Sequence, residues 1–366
     1  MQVRDIIGIL EAFAPPVYQE SYDNCGLQVG NTADAVTGVL LTLDVTEAVL
    51  DEAVARNCNL VVAHHPVIFS GLKTLTGRNY VERVVLKAIK SGVNIYAAHT
   101  NADNVAHGVN AKIAAKLGLT DVRVLQPKAG LLMKLQTYAP TAAADSVRDA
   151  LFAAGAGHIG NYSECSFTTD GVGTFRPSGD ANPAIGTAGG PRMDVPETKL
   201  EVLVAQHAEH AVLQALIAAH PYEEVAYELI ALKNLHQQIG AGLVGHLAAP
   251  VAEQEFLAFT KSAMQTGCIR HTPLLGRPIE KVAVCGGSGS FLVKDALRAG
   301  ADVLVTADFK YHQFFDAEGR ILIADIGHYE SEQFTPELFH DILTKKFPNF
   351  AVLLSNINTN PVQYFC

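Results

Sequence analysis

Three short segments hold side chains that bind metals: His64-His65-Pro66, His99-Thr100-Asn101-Ala102-Asp103 and His328-Tyr329-Glu330-Ser331-Glu332. Together His64, His65, Asp103, His328 and Glu332 offer three imidazoles and two carboxylates. Such a mixed nitrogen and oxygen set suits zinc, iron, manganese, nickel or cobalt and does not choose among them. Five ligands exceed what one tetrahedral ion needs. A carboxylate-bridged pair of divalent ions would use them and keep positions open for water, whose pKa it would lower. His328 and Glu332 are four residues apart, on one face if a helix starts there. Pro66 restricts His65 to extended backbone, where successive side chains point in opposite directions. His64 and His65 would then serve two ions, or one would ligate while the other supports it. Asp103 taken alone also reads as a cap or turn residue. His99 is a ligand, a supporting partner or a proton donor.

Other clusters are weaker. Asp308 and His312 follow Thr306-Ala307 and would support a ligand or act as an acid/base pair; a cap and a surface histidine are an equal reading. Gly286-Gly287-Ser288-Gly289-Ser290 stands between a strand and a helix, where backbone N–H groups can hold phosphate, but a tight turn is the simpler reading. Ser21, Ser70 and Ser288 lack a G-x-S-x-G setting, and no base can be assigned to Cys25. His220-Pro221-Tyr222-Glu223-Glu224 reads first as a turn.

The elements that must position these groups alternate. Apolar runs at 39–43, 60–63 and 93–98 read as buried strands, and the stretches 46–56, 81–90 and 110–117 as helices. After about residue 240 the alternation resumes, with strands at 281–285, 302–306 and 321–325 and helices at 252–264, 291–299 and 336–347. Strand–helix–strand repetition predicts an α/β domain with a mainly parallel sheet. Between them the pattern changes to β-α-β-(β)-β-α-β, with a Gly-, Thr-, Ser- and Pro-rich hairpin or loop at 171–196. That order predicts an α+β ferredoxin-like insert over 128–235, dividing a metal-binding domain of 1–127 and 236–366. In open α/β sheets, sites gather beyond the carboxyl ends of strands, where the three histidine segments lie.

The 366 residues are 49% hydrophobic and 17% charged, which excludes a disordered chain. No run approaches the ~18 apolar residues of a membrane helix. The opening Met1-Gln2-Val3-Arg4-Asp5 lacks the apolar core of a secretory signal, so a cytoplasmic protein is expected. The six cysteines are scattered without a C-x-x-C pair, which fits reduced thiols and disfavours a cysteine zinc site. A net charge of −10 argues against general nucleic-acid binding, which needs clustered bases.

Five segments in order then carry a family resemblance: Tyr22-Asp23-Asn24-Cys25-Gly26-Leu27-Gln28-Val29-Gly30, the three histidine segments with Gly327 before the last, and Asn360-Pro361-Val362-Gln363-Tyr364. The chain resembles the dinuclear-metal-centre hexameric proteins, labelled GTP cyclohydrolase 1 type 2 homologues and also called Nif-three-like. The likeness covers nearly the whole chain, and Tyr22 stands where many members have Trp. The resemblance implies a toroidal homohexamer with two divalent ions per chain, held by His64, His65, Asp103, His328 and Glu332, with His99 beside them. It implies that the insert is similar to the small PII and CutA proteins. The activity it implies is a metal-dependent hydrolase acting on a purine nucleotide or similar small molecule, opening the imidazole ring at C8 if the substrate is GTP. His99 or His312 would move protons. A phosphoesterase is the near variant, and a regulatory metal-binding assembly without turnover the alternative.

Overall fold

The computed structural model describes residues 1–365; Cys366 lies outside them. The chain forms two compact units, one of Met1–Pro127 with Gln238–Cys366 and one of Lys128–Gln237. The architecture is α/β, and the first unit contains two sheets where the alternating pattern suggests one.

The first sheet runs in the order Gly26–Val29, Asn94–Ala97, Leu60–Ala63, Val39–Thr42, Val352–Leu354. Its last four strands are parallel and Gly26–Val29 is antiparallel. The strands at 39–42, 60–63 and 94–97 are buried along their length, as strands covered on both faces must be. Helices Glu47–Ala55 and Tyr80–Ser91 cover one face, and Val49, Leu50, Val84 and Val85 pack with Leu40, Val61 and Ile95. Thr46 caps the first helix at Val49 N and Asn79 the second at Glu82 N, each satisfying an N–H that the helix cannot.

The second sheet runs Arg270–His271, Leu322–Asp325, Val303–Ala307, Ile279–Ser288, Leu235–Val251, Thr120–Ala129. Its three central strands are parallel, flanked by antiparallel neighbours at 270–271 and 235–251. Phe256 of helix Glu253–Ala263 and Met264 just after it fill one face against Ile279, Val282 and Val305; Leu292, Val293 and Ala296 fill the other. The second unit has helices Ala144–Ala153 and Glu209–Ala219 on an antiparallel sheet ordered Ser166–Phe175, Met193–Ala205, Leu132–Pro140, Tyr227–Ala231. Counted along the chain this is 2-3-1-4, the ferredoxin-like arrangement. The stretch expected as one hairpin or loop is the end of one long strand, a connection, and the start of the next.

Glu82 fixes the long connection that follows His65. It accepts hydrogen bonds from Thr76 N and Oγ1 (both 2.8 Å), Arg78 N (3.2 Å), Thr74 Oγ1 (3.2 Å) and Asn79 Nδ2 (3.1 Å). The Thr76 backbone bond leads in lowering its carboxyl from 4.5 to about 2. The folded pKa lies below the unfolded one, so this contribution to stability is complete above pH 4.5 and disappears as pH falls toward 2. Melting temperature measured across that window is expected to fall with pH, and Glu82→Gln to melt lower at neutral pH with that part of the slope removed.

Candidate metal centre

The carboxyl ends of the parallel strands in both sheets of the first unit open into one cavity of about 750 Å³, lined by His65, His99, Asp103, His328 and Glu332. That is within the ordinary range of small-molecule sites. His64 and His65 leave the strand ending at Ala63, His99 follows the strand ending at Ala97, and His328 opens the short helix His328–Glu332 after the strand ending at Asp325. Asp103 sits on the one-turn helix Thr100–Asn104.

Two groups share Glu332. His64, Asp103 and Glu332 form one; His65, His328 and Glu332 form the other. Glu332 Oε1 is 3.7 Å from His64 Nε2, and His64 Nε2 is 3.6 Å from Asp103 Oδ1. Glu332 Oε2 is 2.9 Å from His65 Nε2 and 3.1 Å from His328 Nε2, and these two nitrogens are 3.3 Å apart. Two ligands about 2 Å from one tetrahedral zinc stand about 3.3 Å from each other. The separations of 2.9 to 3.7 Å bracket that value.

The three rings are oriented by their other nitrogens. His64 Nδ1–H donates to the Ala98 carbonyl at 2.9 Å, His65 Nδ1–H to Asp44 Oδ1 at 2.7 Å and His328 Nδ1–H to Asp308 Oδ2 at 2.7 Å. Each Nε2 therefore points into the cluster, the arrangement that metal-binding histidines use. His64 Nε2 and Asp103 Oδ1 are buried and have no hydrogen-bond partner among the described residues. Leaving two such atoms unsatisfied costs free energy that a cation between them would recover. The residues fit a metal.

Electrostatics give the same account. Burial opposes charge on His65, yet Asp44 and Glu332 outweigh it and hold its pKa up at about 10. Burial likewise opposes charge on His328, which Glu332 and Asp308 hold up at about 11. Glu332 is kept well below the usual carboxylate range, since the surrounding imidazoles outweigh its burial. Asp103 is pushed up by burial and by the charge of Glu332, and His64 down by burial. The cluster thus demands positive charge around Glu332. Protons supply it there, or a metal can.

The structure departs from the sequence reading in several places. His64 and His65 do not diverge: both backbone N–H groups bond to the Leu43 carbonyl, so the chain bends after Ala63 and the rings converge at 4.9 Å. Asp308 supports His328, but His312 does not line the cavity; it is exposed, with its ring against Tyr311 and Phe315. The glycine segment is neither a phosphate loop nor a tight turn: Gly286, Gly287 and Ser288 end the strand Ile279–Ser288, where Gly286 N–H bonds Asn110 Oδ1 and Gly287 N–H bonds Ser331 Oγ. Gly287 has φ +59, and a Cβ there would stand 2.6 Å from Glu332 Oε1, so this glycine makes room for the carboxylate. His220 is a buried turn residue, bonded to the Tyr138 carbonyl and the Tyr222 N–H.

Two supporting carboxylates escaped the sequence reading. Asp44 follows the strand ending at Thr42, so the strand-end rule could have found it. Asp23 accepts from His99 Nδ1–H at 2.8 Å and from Thr100 N at 3.0 Å. Against the cost of burial, the bonds from His99 and from the Thr100 hydroxyl hold its carboxyl far below the ordinary range. His99 is thereby held beside the cluster by a carboxylate, as a proton-transferring imidazole is.

Fold and site together define a protein with a mixed histidine and carboxylate centre at the strand ends of a divided α/β unit. Residues 1–361 match the model of the Duf34/NIF3 (NGG1p interacting factor 3) family, and the chain belongs to that family. It is 39% identical to a Halalkalibacterium halodurans protein named "GTP cyclohydrolase 1 type 2 homolog", over 98% of each chain. A Bacillus subtilis protein of the same name is 38% identical over 99% of this chain and 98% of its own. Among solved structures, a Bacillus cereus protein related to NIF3 matches with a TM-score of 0.86 and 35% identity, covering 100% of this chain and 99% of the other.

Removing a supporting carboxylate should loosen the centre without dismantling the fold. Asp44→Ala and Asp308→Ala are each expected to weaken zinc binding about 10- to 100-fold in chelator competition. Far-ultraviolet circular dichroism should be unchanged, and equal affinity in both variants and the parent would remove the role assigned to these residues.

Proposed function

We propose that the protein is a metal-dependent hydrolase with a dinuclear centre, acting on a purine nucleotide or a similar small molecule. The observation that carries this reading is the division of Glu332: one oxygen faces His64 and the other faces His65 and His328. His64, Asp103 and Glu332 would hold one divalent ion, and His65, His328 and Glu332 the other. Bound there, such ions supply Lewis acidity and lower the pKa of coordinated water. Asp44 and Asp308 hold the imidazoles in the tautomer that presents Nε2. His99, held by Asp23, stands where it can take a proton from attacking water or give one to a leaving atom. The relatives named as GTP cyclohydrolase 1 type 2 homologs support a purine nucleotide as the first substrate to try.

The assembly proposed is a homohexamer in the cytoplasm, with the insert similar to PII proteins. No described helix is long and apolar enough to cross a membrane. The second reading, a metal-holding assembly without turnover, draws on the ferredoxin-like insert, a unit with a sheet and two helices of its own.

Elemental analysis of protein purified without added metal or chelator is expected to give about two ions per chain. Glu332→Ala should lower that content and reduce hydrolysis of GTP and of aryl phosphates at least ~100-fold, the scale set by loss of one charge-stabilising group. Full activity in the variant would sink the hydrolase reading. Bound metal without turnover on either class of substrate would favour the assembly without catalysis.

A further inference from the structure

Among the described residues that line the cavity, Arg270 is the one lysine or arginine. It lies on the two-residue edge strand Arg270–His271, and antiparallel register sets it directly opposite Asp325. Its guanidinium is built into place from three sides. Nη2 donates to the buried Asp325 carboxylate and, at 3.0 Å, to the Phe309 carbonyl, while the guanidinium carbon lies 5.5 Å from the centre of the Phe314 ring. An arginine held in this way has already lost most of its rotamer freedom.

Those contacts use a single nitrogen. Nε and Nη1 donate to no described residue, and the side chain is 57% exposed at the cavity. Guanidinium N–H groups form a planar fork that matches two oxygens of a phosphate or carboxylate. The carboxylates of the lining are already engaged. Asp44 and Asp308 are engaged with His65 and His328, and Glu332 with the imidazole cluster. Glu330 accepts from Asn360 Nδ2 at 3.0 Å. Away from the imidazole cluster, Arg270 is the cation that the lining offers an anionic group of a ligand.

We propose that Arg270 is the anion-recognising residue of this cavity, taking the phosphate or carboxylate of a substrate whose reacting atom lies at the His65, His328 and Glu332 cluster. The proposal rests on reading the cavity as an active site, and it narrows the substrate class to small molecules with an oxyanion. Asp325 and Phe314 then have a function beyond packing. They fix the fork so that binding at one end sets which bond is presented at the other.

The test uses the full-length protein, with and without zinc, titrated with inorganic phosphate and separately with acetate by calorimetry. Phosphate bound more tightly than acetate would name a phosphoryl group as the natural anion, and the reverse a carboxylate. Arg270→Gln is expected to weaken the preferred anion about tenfold or more, as loss of charged hydrogen bonds does. Arg270→Lys, which keeps a charge beside Asp325 but loses the fork, should fall between. Zinc content and melting temperature should hold in Arg270→Lys. Equal anion affinity in the parent and both variants would overturn the proposal, as would the absence of saturable anion binding in the parent. So would loss of zinc in parallel with anion binding in Arg270→Lys, since Arg270 would then act through the fold. Anion binding that survives zinc removal in the parent and is lost in Arg270→Gln would uphold Arg270 even if the dinuclear reading failed.

Discussion

Burying the Glu332 carboxylate, 2% exposed, is the constraint around which the first unit is arranged. An ionised carboxyl out of water is costly unless positive charge and hydrogen-bond donors surround it. Here three imidazoles do so, and they arrive from two different sheets. His64 and His65 come from the first and His328 from the second, on the same helical turn as Glu332. The two sheets therefore have to present their carboxyl ends to one point. Gly287 has to lack a side chain for the same reason.

Each imidazole in turn needs a partner for its outward nitrogen, and the partners again come from strand ends. Asp44 follows the strand Val39–Thr42, beside the one that leads to His65, and Asp308 follows the strand Val303–Ala307, beside the one that leads to His328. Asp308 occupies the left-handed region with φ +59, a costly conformation outside glycine. The bonds it accepts from His328 Nδ1 and Ser288 Oγ are what that conformation achieves. Thr359 extends the network to the last segment of the chain, donating to Asp44 Oδ2 at 2.6 Å. These supports fix the ring orientations at the candidate centre, as preorganised sites do.

The sequence by itself determined the kind of fold and the residue types available to the candidate site. Histidine and carboxylate at three strand ends pointed to a candidate metal site, and the fold brings those residues into groups that could hold an ion. Strand and helix alternation stated α/β, since fully buried runs such as Leu60–Ala63 and amphipathic stretches such as Tyr80–Ser91 differ in period. The β-α-β-β-α-β order marked the insert. The tertiary structure alone decided how the strands divide into two sheets, because buried apolar runs look alike and carry no label for their neighbours. Strands at 26–29, 120–129 and 352–354 were illegible for the related reason that their pairing partners lie far along the chain. It also decided that His64 and His65 converge, that Asp44 and Asp23 serve the imidazoles, and that His312 does not. Those outcomes depend on where a backbone bends and which carboxylate a ring nitrogen meets across the fold. Local sequence sets the residue types available for such contacts; the distances between them exist only once distant strands have paired.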